Sequence, residues 1–325
     1  MLITRTPFRV SFLGGGTDLP WFYREYGGAF LSTAIDKYVY LHAHPMFDAE
    51  KTLIKYSQTE LVSDPGQVKH PIIREGLIRF GVKGIDFGVS SDIPAGTGLG
   101  SSSSFTVGLV HLLSTYSNIT LNKEDLAAEA CNIELNKLQE PIGIQDQFAA
   151  SFGGLGFYQI DTSGVVTHRP INLDYDSLKW LDNSMLLVRI SSSTRSASDV
   201  LYEQKKFVEA NTSAIDSLIE LKSLAIRASE TVPRDITVIG KHLKEAWDLK
   251  KQSNPNATSP AIDDIVNLGL NNGALGAKVL GAGGGGFVLF VCNPDARTRV
   301  ANIFPGSKTI SPKIDLIGSH VIYNN

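Results

Sequence analysis

The stretch Ile93-Pro94-Ala95-Gly96-Thr97-Gly98-Leu99-Gly100-Ser101-Ser102-Ser103-Ser104 decides how the rest of this chain is read. Glycines alternate with small residues, serines follow, and Phe105 to Leu113 continues as an apolar helical run. Glycine lets the backbone approach a ligand because no Cβ stands between them. A helix N-terminus carries unpaired N–H groups and a partial positive charge, which together suit a phosphate. A serine there can cap the helix or offer its hydroxyl to Mg²⁺. Gly/Ser-rich stretches also serve as plain linkers or turns. Here a strand-like Ile85–Val89 precedes the run and a helix follows it, a context that favours a phosphate site. No lysine follows the glycines, so the G-x-x-x-x-G-K-[ST] loop does not apply. Backbone N–H groups, the helix dipole and a metal would then have to neutralise the phosphates.

The chain has 325 residues, room for two domains, and an ordinary globular composition. Its 30 basic and 33 acidic residues leave a net charge of −3, which gives no reason to invoke nucleic acid or an anionic membrane. The segment Met1–Pro7 lacks the apolar core of a signal peptide, and no run approaches the ~20 apolar residues of a membrane span. Cys131 and Cys292 form neither a CxxC nor a zinc spacing, so a reduced, cytoplasmic compartment is expected. His42 and His44 alternate along a strand pattern and fit one of its faces better than a metal site.

Residues 1–90 read mainly as strands, with Phe8–Leu13 and Ala34–Leu41 the clearest, and a helix spans His70 to Phe80. Asn122 and Asp125 resemble a capping pair that opens a helix running to Leu138, which Pro141 and Gly143 end. Short strands are expected at Phe157–Ile160 and Met185–Ile190. The second half is richer in helix: Asp199 to Glu230, broken near Thr212, and then Ile236, Ile239, Leu243 and Trp247 at helical spacing through Lys251. Ser253–Pro260 reads as a loop, and strands return at Ala277–Leu280, Phe287–Val291 and His320–Tyr323. The shift from strand to helix places a boundary near residues 170–185, with a ligand between the halves.

Three further segments carry chemistry. Gly281-Ala282-Gly283-Gly284-Gly285-Gly286 matches GxGxxG in form, but a strand-like FVLFV follows it and about forty residues remain. A dinucleotide fingerprint must open a helix and meet an acidic residue on a later strand. A tight glycine turn close to a ligand or another backbone fits better. In Arg9–Asp18 a strand ends in Gly14-Gly15-Gly16, and Asp18 either accepts from sugar hydroxyls or caps the Trp21–Tyr26 turn. Ala127, Cys131, Glu134 and Leu138 share one helical stripe, where Glu134 interrupts a small and apolar face. A carboxylate buried there wants a cation such as Mg²⁺, whereas most helical glutamates are solvated. Asp146 sits in a short connection suited to a base in a partly dry site.

Together these segments resemble the GHMP small-molecule kinases over nearly the whole chain, in both the order and the spacing of the three glycine segments. The resemblance implies a two-domain α+β fold. A ribosomal protein S5 domain 2-like N-terminal domain would span 1–175 and a ferredoxin-like C-terminal domain 176–325, with the active site between them. The backbone of Pro94, Gly96, Gly98, Leu99, Gly100, Ser101, Ser102 and Ser103 would wrap the ATP phosphates, and Ser102 with Glu134 would ligate Mg²⁺. Asp146 would orient or deprotonate the acceptor hydroxyl, with Arg9 beside it to stabilise charge. Gly15, Gly16, Thr17 and Asp18, with Gly283 and Gly284, would contact the substrate.

Galactokinases carry a Glu-His pair where this chain has Gly15-Gly16. The GGGTD form, with Leu243-Lys244-Glu245-Ala246-Trp247-Asp248-Leu249-Lys250-Lys251, is similar to the D-glycero-D-manno-heptose 7-phosphate kinase branch. That branch phosphorylates the anomeric hydroxyl to give a 1,7-bisphosphate. Such a sugar phosphate brings its own phosphate, which needs cations. Arg195 with Thr194 is nominated for this, although a surface arginine near a helix start fits the position as well. Lys250 and Lys251 read as a solvated helix end. The competing functions are another sugar 1-kinase of fucose, mannose or galactose type, a phosphorylation-driven decarboxylase, and a non-catalytic sugar and ATP sensor. The oligomeric state is left open, a homodimer included.

Overall fold

The computed structural model describes residues 1–190 and 197–325. Two long strands organise the first half. β1 (Leu2–Leu13) alternates buried and partly exposed residues at its start, then is buried throughout from Thr6, where both faces are covered. β2 (Gly28–Pro45) pairs antiparallel with β1 along its length. The register shifts next to Pro7, which has no N–H to give to the ladder. The first half adds β3 (Thr52–Lys55), β4 (Thr59–Val62), β5 (Ile85–Ser91), β6 (Leu155–Ile160) and β7 (Val166–Pro170) to this sheet. The far edge of β2 is divided: Gly28–Thr33 pairs with β6, and Val39–Pro45 pairs with β5.

Helices α1 (Pro20–Tyr26) and α2 (Pro71–Phe80) flank these strands. α3 (Ser101–Tyr116) buries Val107, Leu109, Val110, Leu112 and Leu113. A helix apolar on most sides belongs inside. Gly108 lets it close onto the sheet: a Cβ there would lie 2.8 Å from Thr6 Oγ1 and 2.9 Å from Leu41 Cδ1. α4 (Lys123–Cys131) opens at Asn122, whose side chain accepts from the N–H of Asp125, as the sequence leads one to expect. The regular helix expected to reach Leu138 instead widens into a π-helical turn over Asn132–Lys137. Asp146 lies in the first turn of α5 (Gln145–Phe152), not in a connection.

The second half follows with α6 (Tyr175–Ser184), β8 (Met185–Arg189), α7 (Ala197–Ala210), α8 (Thr212–Thr231), α9 (Val238–Ser253) and α10 (Pro260–Asn271). β9 (Ala274–Val279), β10 (Phe287–Cys292), α11 (Pro294–Ala301), β11 (Thr309–Ile310) and β12 (His320–Asn324) complete it. The expected break near Thr212 falls at Asn211. β8 to β11 form an antiparallel sheet in the order β11-β8-β10-β9, the fourth, first, third and second strands of that unit. This is the ferredoxin-like order the resemblance implies. β12 leaves the second half and pairs with β1, so a cut at 175/176 separates the two sheets except for this returning strand. One apolar core joins the halves, since Leu218, Leu221, Leu224 and Leu243 of α8 and α9 pack with Phe8, Val10 and Leu31. Among the described residues no helix is long and apolar enough to cross a membrane.

Candidate active site

A cavity of about 610 Å³ opens between the halves, and the strand ends and helix starts singled out in the sequence converge on it. Arg9, late in β1, is 4% exposed and reaches across to the first turn of α5. Its Nε donates to Asp146 Oδ1 at 2.6 Å and Nη2 donates to Oδ2 at 2.7 Å, while Nη1 donates to the Gly98 carbonyl at 2.7 Å. One guanidinium therefore fixes both the carboxylate and the glycine loop. The two-bond fork holds a planar carboxylate in one orientation.

The loop runs into α3 through Gly100, whose φ of 74° is left-handed. Neither that glycine nor any serine caps the helix by a side chain, contrary to the serine cap the sequence suggested. The first-turn N–H groups of Ser101, Ser102 and Ser103 are therefore left for an anion, and all three residues line the cavity. Side chains at Gly98 and Gly281 would collide with the opposite segment: a Cβ at Gly98 would lie 2.8 Å from the Leu280 carbonyl. One at Gly281 would lie 2.7 Å from Gly98 Cα. The two glycine clusters thus pack backbone to backbone, which explains the second one.

The π-helical turn swings Glu134 under the α3 N-terminus. Glu134 is 1% exposed, accepts from Ser102 Oγ at 3.1 Å and from Gln147 Nε2 at 2.6 Å, and burial pushes its carboxyl up to about 7. Among the described residues no three or more His, Cys, Asp or Glu gather as a metal cage. A hydroxyl and one carboxylate are the hard oxygen donors Mg²⁺ takes when phosphate oxygens and water complete its shell. Gln147 Oε1, beside them, is buried without a hydrogen-bond partner. The donor set fits the ion.

Asp18 does not cap α1, whose N-cap position is Leu19 and which has no side-chain cap. Its Oδ1 accepts from the Gly16 N–H at 2.9 Å, and its Oδ2 accepts at 3.2 Å from the N–H of Gln145, the first residue of α5. Burial, with Asp146 nearby, raises its pKa above the usual carboxylate range. Gly143 gives it room, since a Cβ there would lie 1.8 Å from Asp18 Oδ2. Asp18 and Asp146 are thus positioned by the same helix start, Asp18 through the N–H of Gln145 and Asp146 as the next residue along.

Gly15, Gly16, Gly96, Gly98, Gly100 and Gly283 line the cavity with the residues above. Several expected contacts do not. Thr17 is fully buried, with Oγ1 donating to the carbonyls of Gly14 and Ala29, so it clips the glycine turn from behind. Leu99 is core. Pro94 lines a separate hollow of about 110 Å³. Gly284 is not among the lining residues, and its N–H donates to the Ala257 carbonyl. Thr194 and Arg195 lie outside the described residues. The reverse error concerns Lys250: it is not solvated but buried against the cavity, with Lys278 beside it. Lys250 continues the apolar stripe of Leu243 and Trp247, and Lys278 interrupts an apolar strand, so both carried a signal in the sequence.

Residues 68–154 match the family profile described as GHMP kinases N terminal domain, and residues 211–307 match that of GHMP kinases C terminal. D-glycero-alpha-D-manno-heptose 7-phosphate kinase of Campylobacter jejuni is 28% identical over 307 residues, covering 90% of this chain and 89% of that protein. A galactokinase of Pyrococcus furiosus is 26% identical over 340 residues, covering 93% of this chain and 92% of its own. The crystal structure of a D-glycero-D-manno-heptose 1-phosphate kinase from Bacteroides thetaiotaomicron superposes over 100% of both chains with a TM-score of 0.81 at 21% identity. That of Streptococcus pneumoniae phosphomevalonate kinase with phosphomevalonate and AMPPNP gives 0.75 at 16% identity, over 99% of this chain and 100% of that one. At these identities the structural likeness speaks for the fold.

Proposed function

The chain belongs to the GHMP kinases, and from that premise we propose that it is an ATP-dependent sugar kinase acting on D-glycero-D-manno-heptose 7-phosphate. The observation that carries a transfer reaction is the placement of the Arg9–Asp146 pair against the uncapped start of α3. A Cβ at Gly100 would lie 3.0 Å from Asp146 Oδ2, so acceptor and phosphate sites adjoin with only glycine between them.

The α3 N-terminus and the loop N–H groups hold the ATP phosphates. The anomeric oxygen of the sugar attacks the γ-phosphorus in line, and the bond from that phosphorus to the ADP oxygen breaks. The hydroxyl proton passes to Asp146, leaving ADP and the 1,7-bisphosphate. Arg9 keeps Asp146 aimed and supplies positive charge where negative charge gathers, so positioning and electrostatics do most of the work. Asp18 accepts from sugar hydroxyls. Ser102 and Glu134 would hold Mg²⁺, which when bound neutralises charge on the phosphate oxygens. Use of ATP fits a cytoplasmic location.

An acceptor panel tests the substrate. Heptose 7-phosphate is expected to give the highest kcat/KM, ahead of mannose, fucose, galactose and the unphosphorylated heptose. A free hexose in first place would contradict the assignment.

A further inference from the structure

We propose that Lys250 and Lys278 form the subsite for the phosphate that the acceptor itself carries, a role that rests on the sugar-phosphate reading above. Lys250, near the end of α9, is 9% exposed, and its Nζ donates to the carbonyls of Val279 at 3.2 Å and Gly281 at 2.7 Å. Lys278, in β9, is 3% exposed and donates to the Phe12 carbonyl at 3.1 Å. Both line the cavity. Among the described residues neither forms an ion pair, although the other buried cation, Arg9, has Asp146. Two buried ammonium groups held only by neutral carbonyls are left short of negative charge, because burying an ion is costly unless it is paired.

The position selects the ligand. Lys278 is tied to Phe12, just ahead of the Gly14–Gly16 turn, and Lys250 to the glycine turn that packs against Gly98. Arg9 and Asp18 are the charged groups that act on both, and Lys250 also acts on Lys278. The pair therefore belongs to the Asp18 wall, where the acceptor sits, while the nucleotide phosphates have the α3 N-terminus. Burial lowers the pKa of Lys250 to about 7 and holds that of Lys278 well below the usual lysine range, so a bound dianion is what would keep both charged. A phosphomonoester is a compact dianion that two point-charge donors can grip.

Two measurements test this. Lys250→Met and Lys278→Met are expected to raise KM for heptose 7-phosphate by about 10- to 100-fold, the loss of one charge-assisted contact, and at least tenfold more than KM for unphosphorylated heptose or for ATP. Separately, with ADP present to fill the nucleotide loop, inorganic phosphate is expected to raise the Tm of the wild type and not of either variant. Equal losses on both acceptors, or a rise in the KM for ATP alone, would overturn the subsite. So would a phosphate-induced Tm shift that survives both substitutions. A lysine-dependent phosphate shift together with no preference for heptose 7-phosphate would uphold the subsite and sink the substrate reading instead. Glutamine variants at the same positions repeat both measurements if a methionine variant does not fold.

Discussion

Arg9 grips Asp146 side-on, Nε to Oδ1 at 2.6 Å and Nη2 to Oδ2 at 2.7 Å, while its third nitrogen holds the Gly98 carbonyl at 2.7 Å. The carboxylate proposed to activate the acceptor and the loop proposed to hold the phosphates are thus locked to one side chain of β1. Movement of either would be felt by the other.

Asp146→Asn keeps the size of the side chain, replaces one of the two oxygens that accept from Arg9 with an NH2, and removes the proton acceptor. The expected result is a kcat lower by about 10²- to 10⁴-fold, the usual contribution of a general base, with ATP affinity retained. Steady-state kinetics beside a nucleotide-binding titration would check it, and a near-normal kcat would remove Asp146 from the base role.

Ser102→Ala and Glu134→Ala each take one oxygen donor from the place assigned to Mg²⁺. Both variants are expected to need more Mg²⁺ for half-maximal rate, measured at saturating ATP and sugar. An unchanged Mg²⁺ dependence would clear these residues of any part in holding the ion.

Gly143→Ala puts a methyl group where Asp18 Oδ2 now lies, at 1.8 Å. Asp18 must move, and a displacement near 1 Å in a positioning group can cost on the order of 10²-fold. The loss is expected in KM for the sugar, with KM for ATP little changed. Equal effects on both substrates would mean that Asp18 does not serve the acceptor.

His111 on α3 lies within hydrogen-bond reach of Ser319 Oγ at 3.0 Å, and burial, helped by nearby His320, lowers its pKa from 6.5 to about 4. Between these values the unfolded chain binds the proton and the folded chain does not. The stability His111 provides is therefore complete above about pH 6.5 and is lost as pH falls toward about 4. Thermal unfolding across this window is expected to show a steeper fall in Tm for the wild type than for His111→Gln. Parallel curves would show that His111 does not contribute to acid sensitivity.

Much of the fold was legible because patterning is local. Apolar alternation marked β1 and β2, Asn122 marked the start of α4, and the break expected near Thr212 falls at Asn211 between α7 and α8. The glycine segments were legible for a related reason, as backbone that must come close to something declares itself. Three features were not legible. The π-helical turn at Asn132–Lys137 arises in a segment whose apolar spacing reads as a regular helix. The return of β12 to β1 is a long-range pairing that no local pattern encodes. Thr17 and Leu99 sit beside site residues in sequence, yet point into the core, because a turn sends neighbouring side chains in different directions. Lys250 was misread because lysine near a helix end is usually solvated, although its place on the Leu243–Trp247 stripe argued for burial.

The proposed reaction transfers a phosphoryl group from ATP to the anomeric oxygen of a sugar that already bears a phosphate. Phosphorus NMR of the wild type with ATP, Mg²⁺ and D-glycero-D-manno-heptose 7-phosphate tests it most directly. Stoichiometric ADP and a new phosphomonoester signal coupled to the anomeric proton are expected, with the original 7-phosphate signal retained. ADP formation without that coupled signal, or no turnover while a free hexose is phosphorylated, would contradict it.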